Sequence, residues 1–128
     1  MRLLLDTHVL VWLISDSRRL SAAARNLLAD PDNELLYSVV NLWELAIKYG
    51  LRRTSILLDP RLLRRELLKN GFVELAITGE HAVAIDQLPP LHKDPFDRLL
   101  IAQSIVEGIT LITADPVVAR YPASVQRV

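Results

Sequence analysis

The chain alternates between short, uninterrupted apolar runs and longer segments in which apolar residues recur every three or four positions. The runs at 2–5, 34–38, 72–76 and 109–113 have the length and the lack of alternation that are typical of buried strands. The longer segments between them have helical spacing. Strands that alternate with helices predict a parallel sheet covered on both faces, which is a three-layer α/β/α sandwich.

Two of the helical segments differ in character. Residues 95–108 have the clearest amphipathic spacing, whereas residues 41–50 are apolar nearly all round and predict a largely buried helix. Gly50 and Gly108 stand where each segment is expected to end, because glycine adopts the left-handed conformation that closes many helices. The sequence also predicts helices at 7–15, 20–30 and 60–71, a shorter helix at 78–88, a short turn or helix at 114–122 and a final strand at 124–128.

The composition is that of an ordinary globular protein, and the 128 residues are expected to form one domain over residues 1–128. The chain has no cysteine, which excludes disulfides, thiolate zinc sites and a cysteine nucleophile. No apolar segment approaches the roughly 20 residues that span a bilayer. Asp6 and His8 also interrupt the only run that resembles a secretory signal. We therefore expect a cytoplasmic protein with no membrane partner.

The charges are balanced overall, with 15 basic and 15 acidic residues, so the chain has no global nucleic-acid signature. Locally the balance shifts, because seven basic and two acidic residues lie between Lys48 and Lys69. Within this stretch one face at helical spacing is formed by Arg61, Arg64, Arg65 and Lys69. The face is either an ordinary solvated surface or a surface for RNA phosphates or an acidic partner segment.

Acidic residues stand where strands are predicted to end or helices to begin. Asp6 follows the first strand, Asp115 follows the strand at 109–113, and Asp97 lies in a first helical turn. Each has a purely structural explanation, since Asp6 and Asp115 are suited to cap helices and Asp97 complements a helix dipole. Asp94, which precedes a proline, competes with Asp97 for either role.

Glu44 is unusual because its neighbours are apolar. It either forms an exposed pair with Lys48, four residues later, or points toward the end of the preceding strand. Two unit charges about 5 Å apart repel by roughly 3 kcal/mol at an effective dielectric near 20. Several carboxylates at one sheet edge therefore need protons or a cation, and oxygen ligands suit Mg²⁺ or Mn²⁺. Such an ion activates water and stabilises charge on a phosphodiester.

Three stretches of the chain resemble the PIN-domain ribonucleases, specifically the VapC-type toxins of type II toxin–antitoxin systems. They are LLLDTH at the start, SVVNLWELAIK in the middle and DPFDRLLIAQSIVEGITLITAD near the end. The resemblance implies a PIN-like fold and a Mg²⁺-dependent endoribonuclease that hydrolyses RNA phosphodiester bonds. It also implies a homodimer and a cognate VapB-type antitoxin.

The resemblance implies four catalytic and metal-binding acids, Asp6, Glu44, Asp97 and Asp115. Asp6 and Asp97 are expected to hold the principal metal, and Asp94 is the second choice for the position of Asp97. Glu44 is expected to complete or orient the ligand shell. Asp115 is expected to place a second metal or a water molecule.

Further residues beside these motifs are candidates for substrate contact. The resemblance implies that Thr113 supplies a hydroxyl next to the site. Arg98 either clamps a scissile phosphate or pairs with Asp94. His8 stands where many relatives of this kind have asparagine or serine, and it is either a structural residue or a hydrogen-bonding group near the site.

Two other functions stay open from the sequence. The first is a non-catalytic interaction module whose acids are only helix caps, and the second is a PIN-type nuclease in RNA or DNA processing. Nucleotide cradles are excluded, because no P-loop or dinucleotide glycine pattern is present. His81 and His92 lack partners at zinc-site spacing and are interpreted as non-catalytic.

Overall fold

The computed structural model describes residues 1–51 and 58–128. Its strands are β1 (Arg2–Leu5), β2 (Glu34–Ser38), β3 (Val73–Leu75), β4 (Thr110–Thr113) and β5 (Val125–Arg127). Its helices are α1 (Thr7–Ile14), α2 (Ala22–Ala29), α3 (Val39–Leu51), α4 (Pro60–Lys69), α5 (Gly79–Ala84) and α6 (Pro95–Glu107). Short 3₁₀ turns follow at Ile85–Gln87 and Val118–Arg120. Part of the predicted basic stretch, Arg52 and Arg53, lies outside the described residues.

All five strands are parallel, and their order across the sheet is β3-β2-β1-β4-β5. The central strand β1 pairs Leu4 with Leu36 of β2 on one side and with Leu111 of β4 on the other. The predicted three-layer sandwich with a parallel sheet is confirmed. Because the strands run in one direction, the segments that follow them emerge at the same edge of the sheet, where ligands of such folds bind.

Two apolar clusters cover the two faces of the sheet. Leu3 and Leu5 of β1 point into one cluster together with Leu10 of α1, while Leu4 points into the other with Leu100 of α6. All five side chains are fully buried. The run of leucines near the start of the chain is therefore explained by burial on both faces of a central strand.

Helix α6 is not the amphipathic helix that its spacing predicted. Six consecutive residues, Leu99–Ser104, are buried, so the middle of the helix is enclosed on every side. The helix packs against β4, α3 and α5, which together surround it. Within the described ranges, no helix combines the length and the apolarity that crossing a bilayer requires.

Helix α3 was predicted to be largely buried and to end at Gly50, and both predictions were wrong. Trp43, Ile47 and Leu51 recur every four residues and expose 49%, 40% and 55% of their surface. We call these three residues the α3 stripe. Gly50 itself is helical, and the helix continues to Leu51, where the described segment stops. The apolar residues of α3 thus serve the core on one face and form an exposed surface on the other.

Gly108 closes α6 with φ +67°, and its replacement by alanine is expected to lower the free energy of unfolding by about 1 kcal/mol. Among residues 1–51 and 58–128, a Cβ atom there would meet nothing within 4 Å, so the expected cost is that of the backbone conformation. Gly50→Ala is the matched control, because a Cβ atom there also meets no described residue within 4 Å and its backbone is helical. Gly50→Ala should raise the free energy of unfolding, measured in urea, by about 0.5–1 kcal/mol. If both substitutions changed the free energy of unfolding in the same direction, this explanation would be contradicted.

Candidate active site

The candidate acids come from four separate elements. Asp6 lies between β1 and α1, Glu44 lies on α3, and Asp97 lies in the first turn of α6. Asp115 follows β4 by two residues. The parallel sheet places the ends of β1 and β4 side by side, through the pairing of Leu5 with Ile112. The topology therefore brings residues that are distant in sequence to one edge.

Asp6 is buried, with only 4% of its surface exposed. One carboxylate oxygen accepts a hydrogen bond from the backbone N–H of Val9 at 2.9 Å, which makes Asp6 the N-cap of α1. The other oxygen accepts from the hydroxyl of Thr113. Burial raises the pKa of Asp6 above its usual value, although both hydrogen bonds oppose this shift. Asp6 is therefore a helix cap and, at the same time, a desolvated carboxyl group at the sheet edge.

Glu44 forms the pair with Lys48 that the sequence allowed, but as a buried carboxylate, and its second contact lies beyond the end of β1 rather than of the preceding strand β2. Its Oε2 accepts a 2.7 Å hydrogen bond from the ammonium of Lys48, one helical turn later. Its Oε1 accepts from the hydroxyl of Thr7, the first residue of α1, also at 2.7 Å. The carboxylate is nevertheless buried, with 5% of its surface exposed. Glu44 thus links α3 to the end of β1, where Asp6 lies.

Asn41 is a buried junction that the sequence analysis missed. Its Oδ1 accepts from the backbone N–H of Ser38 at 2.7 Å. Its Nδ2 donates to the carbonyl of Leu5 at 3.3 Å and to the hydroxyl oxygen of Thr7 at 3.0 Å. Asn41 therefore ties the ends of β1 and β2 to the residue that holds Glu44. The available signal was a polar residue one turn before Glu44 in an apolar helix.

Asp97 has a histidine partner that the sequence did not indicate. Its Oδ2 lies 3.0 Å from Nε2 of His92, and Nδ1 of His92 lies 2.7 Å from the hydroxyl of Tyr121. Asp94 instead accepts from the backbone N–H groups of Phe96 and Asp97 and so caps α6. Asp94 and Asp97 therefore have different partners, and Asp97 is the more buried of the two. A metal-binding role for Asp94 stays a prediction.

The acids influence one another through space. Burial is the main cause that raises the pKa of Asp97 to about 6, and the hydrogen bond from His92 opposes it. The negative charges of Asp94, Asp6 and Glu44 raise the same pKa further. Three of the four candidate acids thus belong to one electrostatic unit, and a cation at this edge would relieve their repulsion.

Thr113 and Asp115 extend this unit along the end of β4. The hydroxyl of Thr113 donates to Asp6 and accepts from the backbone N–H of Asp115 at 3.0 Å. Asp115 accepts from the N–H of Val117 at 2.8 Å, and its charge contributes to the raised pKa of Asp6. Thr113 is fully buried and orients Asp6. Contact of Thr113 with a substrate stays a prediction.

Arg98 is engaged with a neighbouring loop. Its Nη1 donates to the carbonyl of Pro89 at 2.9 Å and to the hydroxyl of Tyr121 at 3.0 Å. Among the described residues it forms no ion pair with Asp94, which was one of the two alternatives. Arg98 therefore fastens the loop before α6 in this structure, and phosphate binding by Arg98 stays a prediction.

The donor chemistry of this edge suits a hard divalent cation. All the candidate ligands are carboxylates, and oxygen is the ligand that Mg²⁺ prefers. In the described part of the chain, no three histidine, aspartate or glutamate side chains are grouped so that they could hold one ion together. Mg²⁺ usually binds through one or two carboxylates and keeps several water molecules, so a closed protein cage is not required.

In the metal-free protein, Asp97→Asn is expected to raise the free energy of unfolding at pH 7 by about 1–2 kcal/mol, after allowance for solvent screening. A carboxyl group with a raised pKa favours the folded state only while it is protonated. The free energy of unfolding of the wild type should therefore fall as the pH rises from 3.8 to about 6. The Asp97→Asn variant should not show the part of this fall that comes from Asp97. Urea unfolding in EDTA across this range measures both effects, with the exposed acid variant Glu80→Gln as control. Equal pH profiles for wild type and Asp97→Asn would contradict the assignment.

Comparison with known proteins agrees with this architecture. The family model of the PIN domain matches residues 3–123. Over 113 residues the chain is 33% identical to Ribonuclease VapC22 of Mycobacterium tuberculosis (strain ATCC 25618 / H37Rv), which covers 88% of this chain and 85% of that protein.

Solved structures share the fold across nearly the whole chain. One is the structure of VapBC2 from Rickettsia felis bound to a DNA fragment from the VapBC2 promoter, with a TM-score of 0.72 at 19% identity. The match covers 99% of this chain and 98% of that chain. VapBC-5 from Mycobacterium tuberculosis, a member of the VapBC family of toxin–antitoxin systems, has a TM-score of 0.62 at 23% identity with the same coverage. Since the family model and a relative above 30% identity both span most of the sequence, the chain belongs to the PIN domain family, as its motifs predicted.

Proposed function

We propose that the chain is a Mg²⁺-dependent endoribonuclease and acts as the toxin of a toxin–antitoxin pair. The observation that carries this proposal is the buried carboxyl group of Asp6, at an edge where the charges of Glu44 and Asp97 also meet. Burying several carboxylates together is unfavourable for stability alone, which indicates a functional reason for the arrangement. Similarity to a protein named as a ribonuclease supports RNA as the substrate.

Asp6 and Asp97 would hold the principal cation, and Glu44 would complete or orient its surroundings. Asp115 would help to place a second cation or a water molecule. When bound, the cation supplies an activated water and stabilises the charge that develops on the phosphodiester during hydrolysis. Mn²⁺ has the same preference for oxygen ligands and is expected to replace Mg²⁺.

The chain's own residues hold these carboxylates in place. The Thr113 hydroxyl and the Val9 N–H fix the two oxygens of Asp6. Glu44 is held between the Thr7 hydroxyl and the Lys48 ammonium, each of which donates to one of its two oxygens. Preorganised groups of this kind lower the cost of reaching the productive geometry, because they need not be ordered again when the substrate binds.

The direct test is RNA cleavage by the purified protein. A labelled single-stranded RNA should be cut internally in the presence of Mg²⁺ or Mn²⁺, and EDTA should abolish cleavage until excess Mg²⁺ is restored. Duplex DNA should stay intact under the same conditions. A protein that cleaves equally well in EDTA would exclude the metal-dependent mechanism. Absence of cleavage of any nucleic acid, with normal binding of a protein partner, would favour the non-catalytic interaction module.

We propose a VapB-type antitoxin and a second copy of the chain as protein partners. The exposed α3 stripe supports this, as does an apolar groove of about 290 Å³ that includes Ile14, Leu62 and Leu63. Similar solved structures are described as toxin–antitoxin complexes. Co-expression with the product of the adjacent small reading frame should give a complex in which RNA cleavage is inhibited, and light scattering should report a dimer. A monomer that does not bind this product would contradict both proposals.

A further inference from the structure

A small cavity of about 260 Å³ adjoins the acidic edge and has no role in the chemistry described so far. Its lining consists of His8, Trp12, Arg19, Ala114 and Asp115. The first two belong to α1, Arg19 belongs to the loop that follows α1, and the last two follow β4. The cavity thus combines two aromatic rings, one guanidinium and one of the candidate acids.

The aromatic part of the lining lies on one face of α1. His8 and Trp12 are one helical turn apart, and their ring centroids are 6.2 Å apart with planes inclined at 45°. Trp12 is half-buried and packs on the core, which fixes its position, while His8 is exposed. Among the described residues the imidazole of His8 forms no hydrogen bond or ion pair, so its ring nitrogens are free for a ligand.

Arg19 lies on a loop that other residues hold in place. Arg25 holds the loop through its Nη1, 2.6 Å from the carboxylate of Asp16, and its Nη2, 2.5 Å from the carbonyl of Ser17. Leu20, next to Arg19, is buried in the core. The guanidinium of Arg19 has no carboxylate or carbonyl partner in the described parts of the chain. An unpaired arginine on an anchored loop is suited to bind a phosphate group.

The position of the cavity determines which ligand it would meet. Asp115 lines the cavity, and its charge acts directly on Asp6. His8 is two residues from Asp6. A strand of RNA whose phosphodiester lies at the acids would therefore extend past the cavity. Single-stranded RNA is recognised by stacking of bases on aromatic rings and by arginine contacts to phosphates, and this lining offers both.

We propose that this cavity is a nucleotide subsite, in which His8 and Trp12 receive a base of single-stranded RNA and Arg19 binds a phosphate of the same strand. The inference deepens the proposed ribonuclease function and rests on it. It assigns a binding role to His8, which the sequence analysis left as either a structural residue or a hydrogen-bonding group near the site.

The test uses tryptophan fluorescence, because the chain has only two tryptophans. In Trp43→Phe, Trp12 is the single reporter, and a short single-stranded oligoribonucleotide in EDTA should quench its emission saturably. In this background Arg19→Gln should weaken binding about tenfold. Arg18→Gln is the matched control, since Arg18 is an exposed neighbour outside the cavity, and it should bind within about twofold of the parent.

In cleavage assays Arg19→Gln should raise KM and leave kcat unchanged, as expected when uniform substrate binding is lost.

The outcomes separate this inference from the proposed function. Metal-dependent cleavage without quenching of Trp12, together with unchanged KM in Arg19→Gln, would overturn the subsite and leave the ribonuclease intact. Equal losses in Arg18→Gln and Arg19→Gln would also overturn it, because they would indicate a non-specific charge effect. Quenching that depends on Arg19 in a protein that cleaves no RNA would support the subsite and refute the hydrolytic function.

Discussion

Asp6→Asn and Asp97→Asn are each expected to lower Mg²⁺-dependent RNA cleavage by at least about 100-fold. An amide keeps the size of the carboxyl group but supplies no negative charge to a cation. Asparagine caps helices as well as aspartate does, so the start of α1 should stay intact in Asp6→Asn. Initial rates on a fluorescent RNA at saturating Mg²⁺, with circular dichroism of each variant, measure both parts of the expectation.

Glu80→Gln is the control for these variants. Glu80 is an exposed acid in the first turn of α5 whose charge is not among those that act on Asp6 or Asp97, and its replacement should leave the cleavage rate within about twofold of wild type. Wild-type rates in both Asp6→Asn and Asp97→Asn would mean that Asp6 serves only as a helix cap and Asp97 only as an acid in the first turn of α6. The measured activity would then belong to a contaminating nuclease.

Asn41→Ala is expected to lower the free energy of unfolding by about 2–4 kcal/mol. The substitution leaves the Ser38 N–H, the Leu5 carbonyl and a hydroxyl contact of Thr7 without their partner in a buried position. Cleavage should also fall, because Thr7 would no longer be held where it orients Glu44. Urea unfolding reports the first effect, and cleavage rates at temperatures well below unfolding report the second.

Asn26→Ala is the matched control for this loss. Asn26 is exposed on α2, so its replacement should change the free energy of unfolding by less than about 0.5 kcal/mol. A cost for Asn41→Ala as small as that of the control would show that the buried amide is not the junction between the strand ends. The packing of apolar side chains alone would then have to hold Thr7 and Glu44 together.

The sequence was sufficient for the layered fold because its strands are buried on both faces. Uninterrupted apolar runs separated by helical spacing leave a parallel α/β sheet as the simplest arrangement, and the register of Leu4 between Leu36 and Leu111 agrees with it. The final strand, β5, was also expected, although only three residues form it. Local patterns therefore determined the elements and the layers.

The burial of individual helices was less predictable, because it depends on which neighbours cover them. Polar residues such as Gln103 and Ser104 made α6 look amphipathic, yet both are buried and hydrogen-bonded. The apolar residues of α3 suggested full burial, but the α3 stripe is exposed. Hydrophobic spacing predicts where a helix forms. The burial of its side chains depends on which other elements of the fold pack against it.

The candidate site was predictable only in part. Asp6, Glu44 and Asp97 stand out in the sequence by their positions at element ends or among apolar neighbours. The residues that support them do not, because His92 contacts Asp97, and Asn41 contacts Thr7, the partner of Glu44, in ways that no spacing rule encodes. Positioning residues of this kind become visible only once the ends of the strands are placed side by side.

The central claim is that Asp6 and Asp97 share one cation, and a crystal grown with Mn²⁺ tests it most directly. Anomalous diffraction locates the ion independently of any assumption about the ligands. The account predicts a peak within about 2.2 Å of a carboxylate oxygen of Asp6 and of Asp97, at the carboxyl edge of the sheet. A peak that contacts neither Asp6 nor Asp97 would contradict the account. The lack of any peak at this edge in crystals grown with millimolar Mn²⁺ would contradict it as well.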